Sequence, residues 1–264
     1  MKTVLIYKNI ATAFLALVTI FLFSGCSPSF QSFGAFSVKE TGKGIHEIRD
    51  GDGSIFVLVQ RGEKAPAGYN KNQIIQVPVK RVIAYSTYNI AMLKVLGVLD
   101  DTLAGVTREY KDWVIPEVRK GIEAGRIIYI GEAGAVDYEK IKEISPELVL
   151  TWDRAAIPML NELEIPAIIT TSGTAMNLDT RLGFTSFLAY LFGREKEADA
   201  FIARVNKTVE RIASITASIS RRPKVIWGDI FEKRVLIEPG NSWVAEIIRH
   251  AGGEYVFDDV SGAA

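Results

Sequence analysis

The sequence predicts an α/β protein in which two lobes are joined by one long helix. Three observations predict it. Between Arg194 and Ser220, apolar residues fall at Ala198, Ile202, Val205, Val209, Ile212 and Ile219, spaced four, three, four, three and seven apart. That spacing places them on a single helical stripe, which Phe201 and Ile215 widen by one row. Upstream, short apolar runs bounded by turn residues alternate with helix-length segments, the pattern of parallel strands in a doubly wound sheet. Downstream, the alternation resumes on a smaller scale. A content of 48% hydrophobic and 23% charged residues suits a packed core and excludes wholesale disorder. The 31 basic residues are balanced by 31 acidic ones, so no basic field exists to hold nucleic acid.

The chain opens with a targeting segment, residues 1–26. Lys2 and Lys8 supply positive charge, and Ile10 to Phe23 is an apolar run of signal-peptide length, short of the ~20 residues that span a bilayer. It ends in Phe23-Ser24-Gly25-Cys26. Small residues before a cysteine resemble a lipoprotein processing site, and Cys26, the sole cysteine, has no partner for an internal disulfide. Cys26 is therefore the expected lipid attachment point; the alternative is an uncleaved anchor. Either places the remaining chain outside the cytoplasmic membrane.

Residues 27–75 read as a tether plus an N-terminal β-hairpin extension. Ser27 to Phe36 lacks periodicity. Ile45 to Gln60 gives two strands around Asp50-Gly51-Asp52-Gly53, a hairpin turn signal. Two aspartates here suggest calcium, but the later glutamate of an EF-hand loop is missing, and the reading is a plain turn. Gly62 to Asn72 is a loop.

Lobe one is expected over residues 76–178. Its strands are Arg81–Tyr85, Leu103–Thr107, Ile127–Ile130, Leu148–Trp152 and Ala167–Thr171. Its helices are Asn89–Leu96, capped by Ser86 or Thr87 and stopped by Gly97, then a charged stretch around Pro116 to Glu123, then Tyr138–Ile144 and Ile157–Leu163. Residues 179–221 form a helical connection: Leu182–Phe192 ending at Gly193, then the long strut. Glu195, Glu197 and Asp199 crowd its first turns, Arg221 and Arg222 follow it, and Pro223 ends it. Residues 222–264 begin lobe two, with strands Lys224–Trp227 and Val235–Ile237, a helix from Ser242 to His250 and a run Tyr255–Phe257. An α/β unit this small rarely buries enough surface to stand alone, so the second lobe is expected to be incomplete in this chain.

Several segments in order resemble one family. RVIAYSTYNIAMLKVLGVLDDTLAGVT resembles the opening strand-helix-strand of the solute-binding proteins of ABC transporters that import iron-siderophores, haem and cobalamin. GEAGAVDYEKIKEISPELVL, LEIPAII, LAYLFGREKEADAFI, RRPKVIW and GNSWVAEIIRHAGGEYVF resemble its later signatures. The match runs from about Gln76 to Phe257. The resemblance implies the class III periplasmic-binding-protein fold, two Rossmann-like lobes on one stiff helix. It also implies a lipid-tethered or periplasmic monomer that carries a metal chelate to the permease subunits, with no resident cofactor. The family continues beyond the double-glycine segment, which agrees with an incomplete second lobe.

In open α/β sheets, ligands sit beyond the carboxyl ends of the strands. Those ends carry Tyr85, Thr87 and Tyr88, then Arg108, then Trp152 and Arg154; in lobe two they carry Trp227, with Trp243 at the start of the helix. Aromatic rings there offer flat apolar walls to a macrocycle or catecholate, and arginine or tyrosine meets its acidic groups. These eight are the expected ligand-binding residues; Trp152 also matches a cleft position in cobalamin-binding relatives. Glu139, in VDYEKI, matches the acid that the family uses to dock on permease arginines. Direct metal ligation is not expected, because His46 and His250 are the only histidines and stand far apart in sequence, whereas a zinc or manganese site normally wants a cluster of His, Asp and Glu. The alternative function is an extracytoplasmic enzyme on a similar scaffold, but no phosphate loop, free thiol or Ser–His–Asp set appears.

Overall fold

The computed structural model describes residues 30–42, 44–171 and 177–262. Cys26 lies outside the described residues.

The N-terminal extension is a five-stranded sheet in sequence order: β1 (Phe30–Phe33), β2 (Phe36–Gly42), β3 (Ile45–Arg49), β4 (Ile55–Gln60) and β5 (Ile74–Val77). The pairs are antiparallel except β4–β5. This corrects the tether, which is strand from Phe30 onward. Strand β1 escaped periodicity because Phe30, Gln31 and Ser32 are all exposed, so no alternation of buried and exposed positions marks it.

Lobe one is built on β6 (Val82–Ala84), β7 (Leu103–Val106), β8 (Ile128–Tyr129), β9 (Leu148–Thr151) and β10 (Ala167–Ile169), in the order β10-β9-β6-β7-β8, every pair parallel. Its helices are α1 (Thr87–Val95), α2 (Leu99–Thr102), α3 (Pro116–Glu123), α4 (Tyr138–Ile144) and α5 (Ile157–Glu162). Both sheet faces are covered, as parallel strands require. Val82, Ala84, Leu148, Leu150 and Ile168 enter one core, while Ile83, Val149 and Ala167 enter the other. The first of these cores is continuous with the N-terminal sheet. Phe36, Val38, Leu58 and Ile75 meet Phe184 and Phe187 of α6 (Leu178–Phe192) within it.

Helix α7 (Glu195–Thr216) is a single unbroken run of 22 residues, roughly 33 Å at ~1.5 Å per residue. It is pinned at both ends. Ala198 is fully buried against lobe one, and the Thr216 hydroxyl donates to the His250 carbonyl in lobe two at 2.8 Å. The helix stops short of the expected Ser220. Ile215 and Ile219 are 61% and 41% exposed, so the stripe is covered only over its earlier turns.

Lobe two pairs β11 (Lys224–Val225) in parallel with β14 (Glu254–Tyr255), and β12 (Gly228–Phe231) in antiparallel with β13 (Arg234–Ile237). Helix α8 (Trp243–His250) packs Val244, Ala245 and Ile248 around Tyr255. Strand β12 is an addition to the expected elements. Its two-residue turn holds Glu232 and Lys233 at φ 48° and 64°, where a hairpin normally announces itself with Asn-Gly. Ile226, Trp227, Ile230, Val235 and Leu236 are each more than half exposed. No described helix is long and apolar enough to cross a membrane.

Candidate functional site

The strand order locates the site. From β6 the chain proceeds to β7 and β8 on one side, then returns to place β9 and β10 on the other. The order reverses between β6 and β9, and a crevice opens at the carboxyl ends of strands at such a switch. Ala84 pairs with Leu150, so the two strands end level. The loops carrying Tyr85–Tyr88 and Trp152–Arg154 therefore emerge side by side.

The expected ligand residues divide into three groups. Trp152 is 42% exposed beyond β9, on a turn fixed by the Asp153 amide donating to the Thr151 hydroxyl at 2.9 Å. Thr87 is exposed at the first position of α1, and Tyr88 is half-buried beside it; Ser86 caps that helix by accepting from the Asn89 amide. All three stand just beyond the carboxyl ends of β6 and β9. Arg108 is exposed beyond β7, and its carbonyl accepts from the Trp113 indole at 3.0 Å. Trp227 is 55% exposed and precedes the lobe-two hairpin.

Two expectations require correction. Tyr85 is 3% exposed and belongs to the second lobe-one core with Ile130, Ile141 and Leu160, so it does not offer an open wall. Burial pushes its hydroxyl pKa well up, and that hydroxyl has no partner among the described residues. Arg154 is already engaged. Its Nε and Nη2 grip the Asp52 carboxylate at 2.8 and 2.5 Å, across 102 residues of sequence.

That ion pair belongs to a hook. The Asp50-Gly51-Asp52-Gly53 turn reaches over the carboxyl end of β10, where the Gly51 amide donates to the Ile169 carbonyl at 3.0 Å. The buried Asp50 carboxylate accepts from the amides of Ile169, Ser54 and Asp52 at 3.0, 2.8 and 3.0 Å. Burial raises the Asp50 pKa and outweighs the three amides, which pull it down. The turn read from sequence is thus a clasp that ties the extension to the rim of the crevice.

Sequence reasoning missed the residue that connects the lobes here. Arg181 of α6 lies with its guanidinium carbon 4.3 Å from the Tyr88 ring centre and 4.5 Å from that of Trp243. Tyr88 donates its hydroxyl to the Arg181 carbonyl at 3.2 Å. The Glu246 carboxylate of α8 accepts from the Leu178 amide at 2.7 Å, satisfying a free N–H at the start of α6. Two expected ligand residues, one per lobe, are thereby brought to a single cation. Glu139 lies elsewhere, exposed in the first turn of α4, with its amide donating to the capping Asp137.

Comparison with known proteins gives a consistent result. A family model described as periplasmic binding protein matches residues 82–262. An uncharacterized lipoprotein of Methanocaldococcus jannaschii is 24% identical over 81% of this chain and 55% of its own length. A petrobactin-binding protein of Bacillus subtilis is 25% identical over 78% of this chain and 60% of its own length. The chain thus spans little more than half of these relatives. Among solved structures, a possible iron-binding (periplasmic solute-binding) protein of Staphylococcus epidermidis superimposes with a TM-score of 0.56 at 16% identity, over 71% of this chain and 70% of that one. The match covers the parallel sheet with its switch point, the long helix and the described part of lobe two, and the chain belongs to the periplasmic binding protein family, in its class III branch.

Proposed function

We propose that the chain is the extracytoplasmic solute-binding component of an ABC importer. In this reading it captures a metal chelate, of the iron-siderophore, haem or corrinoid type, between its lobes and delivers it to the membrane permease. It is a binder rather than an enzyme, acts as a monomer, and is held to the outer face of the cytoplasmic membrane through Cys26. The observation that carries the reading is the pairing of exposed Trp152 and half-buried Tyr88 at the β6–β9 switch point with a lobe-two helix whose Trp243 lies against the same Arg181 as Tyr88. Flat rings at a rim suit a large, rigid, partly apolar solute.

Titration of the mature protein with ferric siderophores, haem and corrinoids, followed by tryptophan quenching, tests it. At least one is expected to bind with sub-micromolar affinity and without turnover. Trp152→Ala is expected to weaken that ligand at least about tenfold, the loss of one aromatic contact of about 1.5 kcal/mol. Unchanged affinity in the variant would remove Trp152 from the cleft, and catalytic conversion of the solute would favour the enzyme reading.

Glu139 is proposed to dock on basic residues of the permease. An exposed carboxylate at a rim steers encounter more than it adds affinity. Glu139→Ala is therefore expected to leave ligand affinity untouched and to slow uptake several-fold at limiting ligand, most at low salt. Uptake equal to wild type at every ionic strength would show Glu139 to be only a helix-start acid.

A further inference from the structure

We infer that the cavity between the N-terminal sheet and the free edge of β10 is a second binding site, and that it takes a short, uncharged peptide in extended form. The site lies along the outer edge of the lobe-one sheet and is independent of the solute-binding role proposed above. Much of its lining comes from residues 50–73, upstream of the residues 82–262 that the family model matches.

Strand β10 ends the lobe-one sheet, with β9 as its one neighbour. Its even-numbered residues face β9. The Pro166 carbonyl accepts from the Val149 amide at 2.9 Å, and the Thr170 amide donates to the Thr151 carbonyl at 2.8 Å. By the two-residue period of a strand, Ala167 and Ile169 direct their N–H and C=O groups to the free edge. The hook fills the Ile169 pair: the Gly51 amide donates to the Ile169 carbonyl, and the Asp50 carboxylate accepts from the Ile169 amide, both at 3.0 Å. It reaches no further. The amide and carbonyl of Ala167 have no partner among the described residues, although Ala167 is only 5% exposed. Buried backbone groups are rarely left this way, because each costs free energy comparable to a lost hydrogen bond.

Ala167 and Ile169 line a cavity of about 550 Å³, within the ~300–1,000 Å³ range of ligand pockets. Ile55 of β4, with Ile157 and Pro158 of α5, gives it apolar walls, and Asn72, Gln73 and Asn161 bring carboxamides. Gln73 is engaged, donating to the Ile55 carbonyl at 3.2 Å and accepting from the Asn70 amide at 3.0 Å. Asn72 donates through Nδ2 to Asn161 Oδ1 at 2.7 Å, which leaves Asn161 Nδ2 and Asn72 Oδ1 without partners among the described residues. The charged lining residues are committed, Asp52 to Arg154 and Asp50 to three amides. What remains open is a donor and an acceptor on one strand edge, with a carboxamide donor and acceptor on the same cavity. An extended peptide supplies the matching set. Its backbone continues along β10 the pairing that Gly51 begins, as in recognition by strand addition, and its further peptide groups meet the carboxamides. A net charge on the ligand would find no free counter-charge there.

The probe is a mixture of acetylated, amidated tetrapeptides of uncharged residues at millimolar concentration, followed by the amide shifts of the isotope-labelled mature protein. Shifts are expected to concentrate at Ala167, Asn72 and Asn161. In the free protein the Ala167 amide should exchange with solvent at least about tenfold faster than that of Ile168, which is bonded to β9, and the peptides should slow it. The same peptides methylated on their backbone nitrogens should bind at least about tenfold more weakly. Ala167→Pro deletes the outward N–H without touching the β9 pairing, and should weaken the peptides by a similar factor. Several results would overturn the inference: no shifts around Ala167, which leaves the cavity to water; shifts confined to the crevice at the β6–β9 switch; equal binding of the methylated peptides; or an Ala167 amide already as protected as Ile168. Should Ala167→Pro fail to fold, Asn161→Leu decides, because it removes the carboxamide from an exposed position, and undiminished peptide binding there would overturn the site. None of these results bears on chelate binding, which is measured separately.

Discussion

Gly51→Ala is expected to be among the most damaging single substitutions in the chain, costing about 3 kcal/mol or more. The reason is contact rather than backbone angle. A Cβ at position 51 would stand 1.9 Å from the Thr171 carbonyl oxygen, 2.8 Å from its carbon and 3.0 Å from the Ile169 oxygen. These are backbone atoms at the end of β10 and cannot swing aside. Relief requires the turn to lift, which breaks the Gly51–Ile169 bond and leaves the buried Asp50 carboxylate without the Ile169 amide. An acceptor stranded in a desolvated place adds its own penalty to the clash. Urea unfolding should show the loss as a lower midpoint. Gly42→Ala is the control within the same sheet, because a Cβ there meets only Ile45 at 3.9 Å, and it should cost under about 1 kcal/mol. A loss at Gly51 no greater than at Gly42 would mean that the extension does not clasp β10. Release of the hook should also free Arg154 from Asp52.

The parts of this molecule that could be read in the sequence are those whose neighbours in space are also neighbours along the chain. Tyr138–Ile144 announces itself by its Asp137 cap, and Ser242 does the same for α8. The buried strands of lobe one read as apolar runs because both of their faces are covered. The stripe of α7 was legible for the same local reason. It misled only at Ile215 and Ile219, where apolar spacing persists but the side chains stay 61% and 41% exposed. The parts that could not be read are long-range. Nothing around Asp52 indicates an arginine 102 positions later. Arg181 sits on a helix among Leu182 and Gly183 with no motif to mark it, and only the meeting of α1, α6 and α8 gives it two rings to lie against. Tyr85 failed for a related reason. Strand ends point toward a cleft on average, but alternation within β6 sends this side chain, like Ile83, to the α4–α5 side.

Phe184→Ala carries the second large effect, and it reaches from the core to the cleft. Phe184 is fully buried, with ring centres 4.9 Å from Phe36, 6.1 Å from Phe187 and 5.8 Å from Tyr88. It thus joins the N-terminal sheet, α6 and the first turn of α1. Truncating a buried phenylalanine costs about 3–5 kcal/mol, the sum of lost burial and the cavity left behind. For a chain of this size that corresponds to a fall in melting temperature of roughly 10 °C. The second consequence is specific. Without the ring beneath it, Tyr88 loses the support that holds it against Arg181. Phe184→Leu separates the two effects, because it keeps most of the volume at a cost under about 1.5 kcal/mol but removes the flat surface. The leucine variant should fold near wild-type stability and yet bind its chelate more weakly. If it binds that chelate as wild type does, the stack on Phe184 is packing alone, and Tyr88 is oriented by its hydroxyl bond to the Arg181 carbonyl instead.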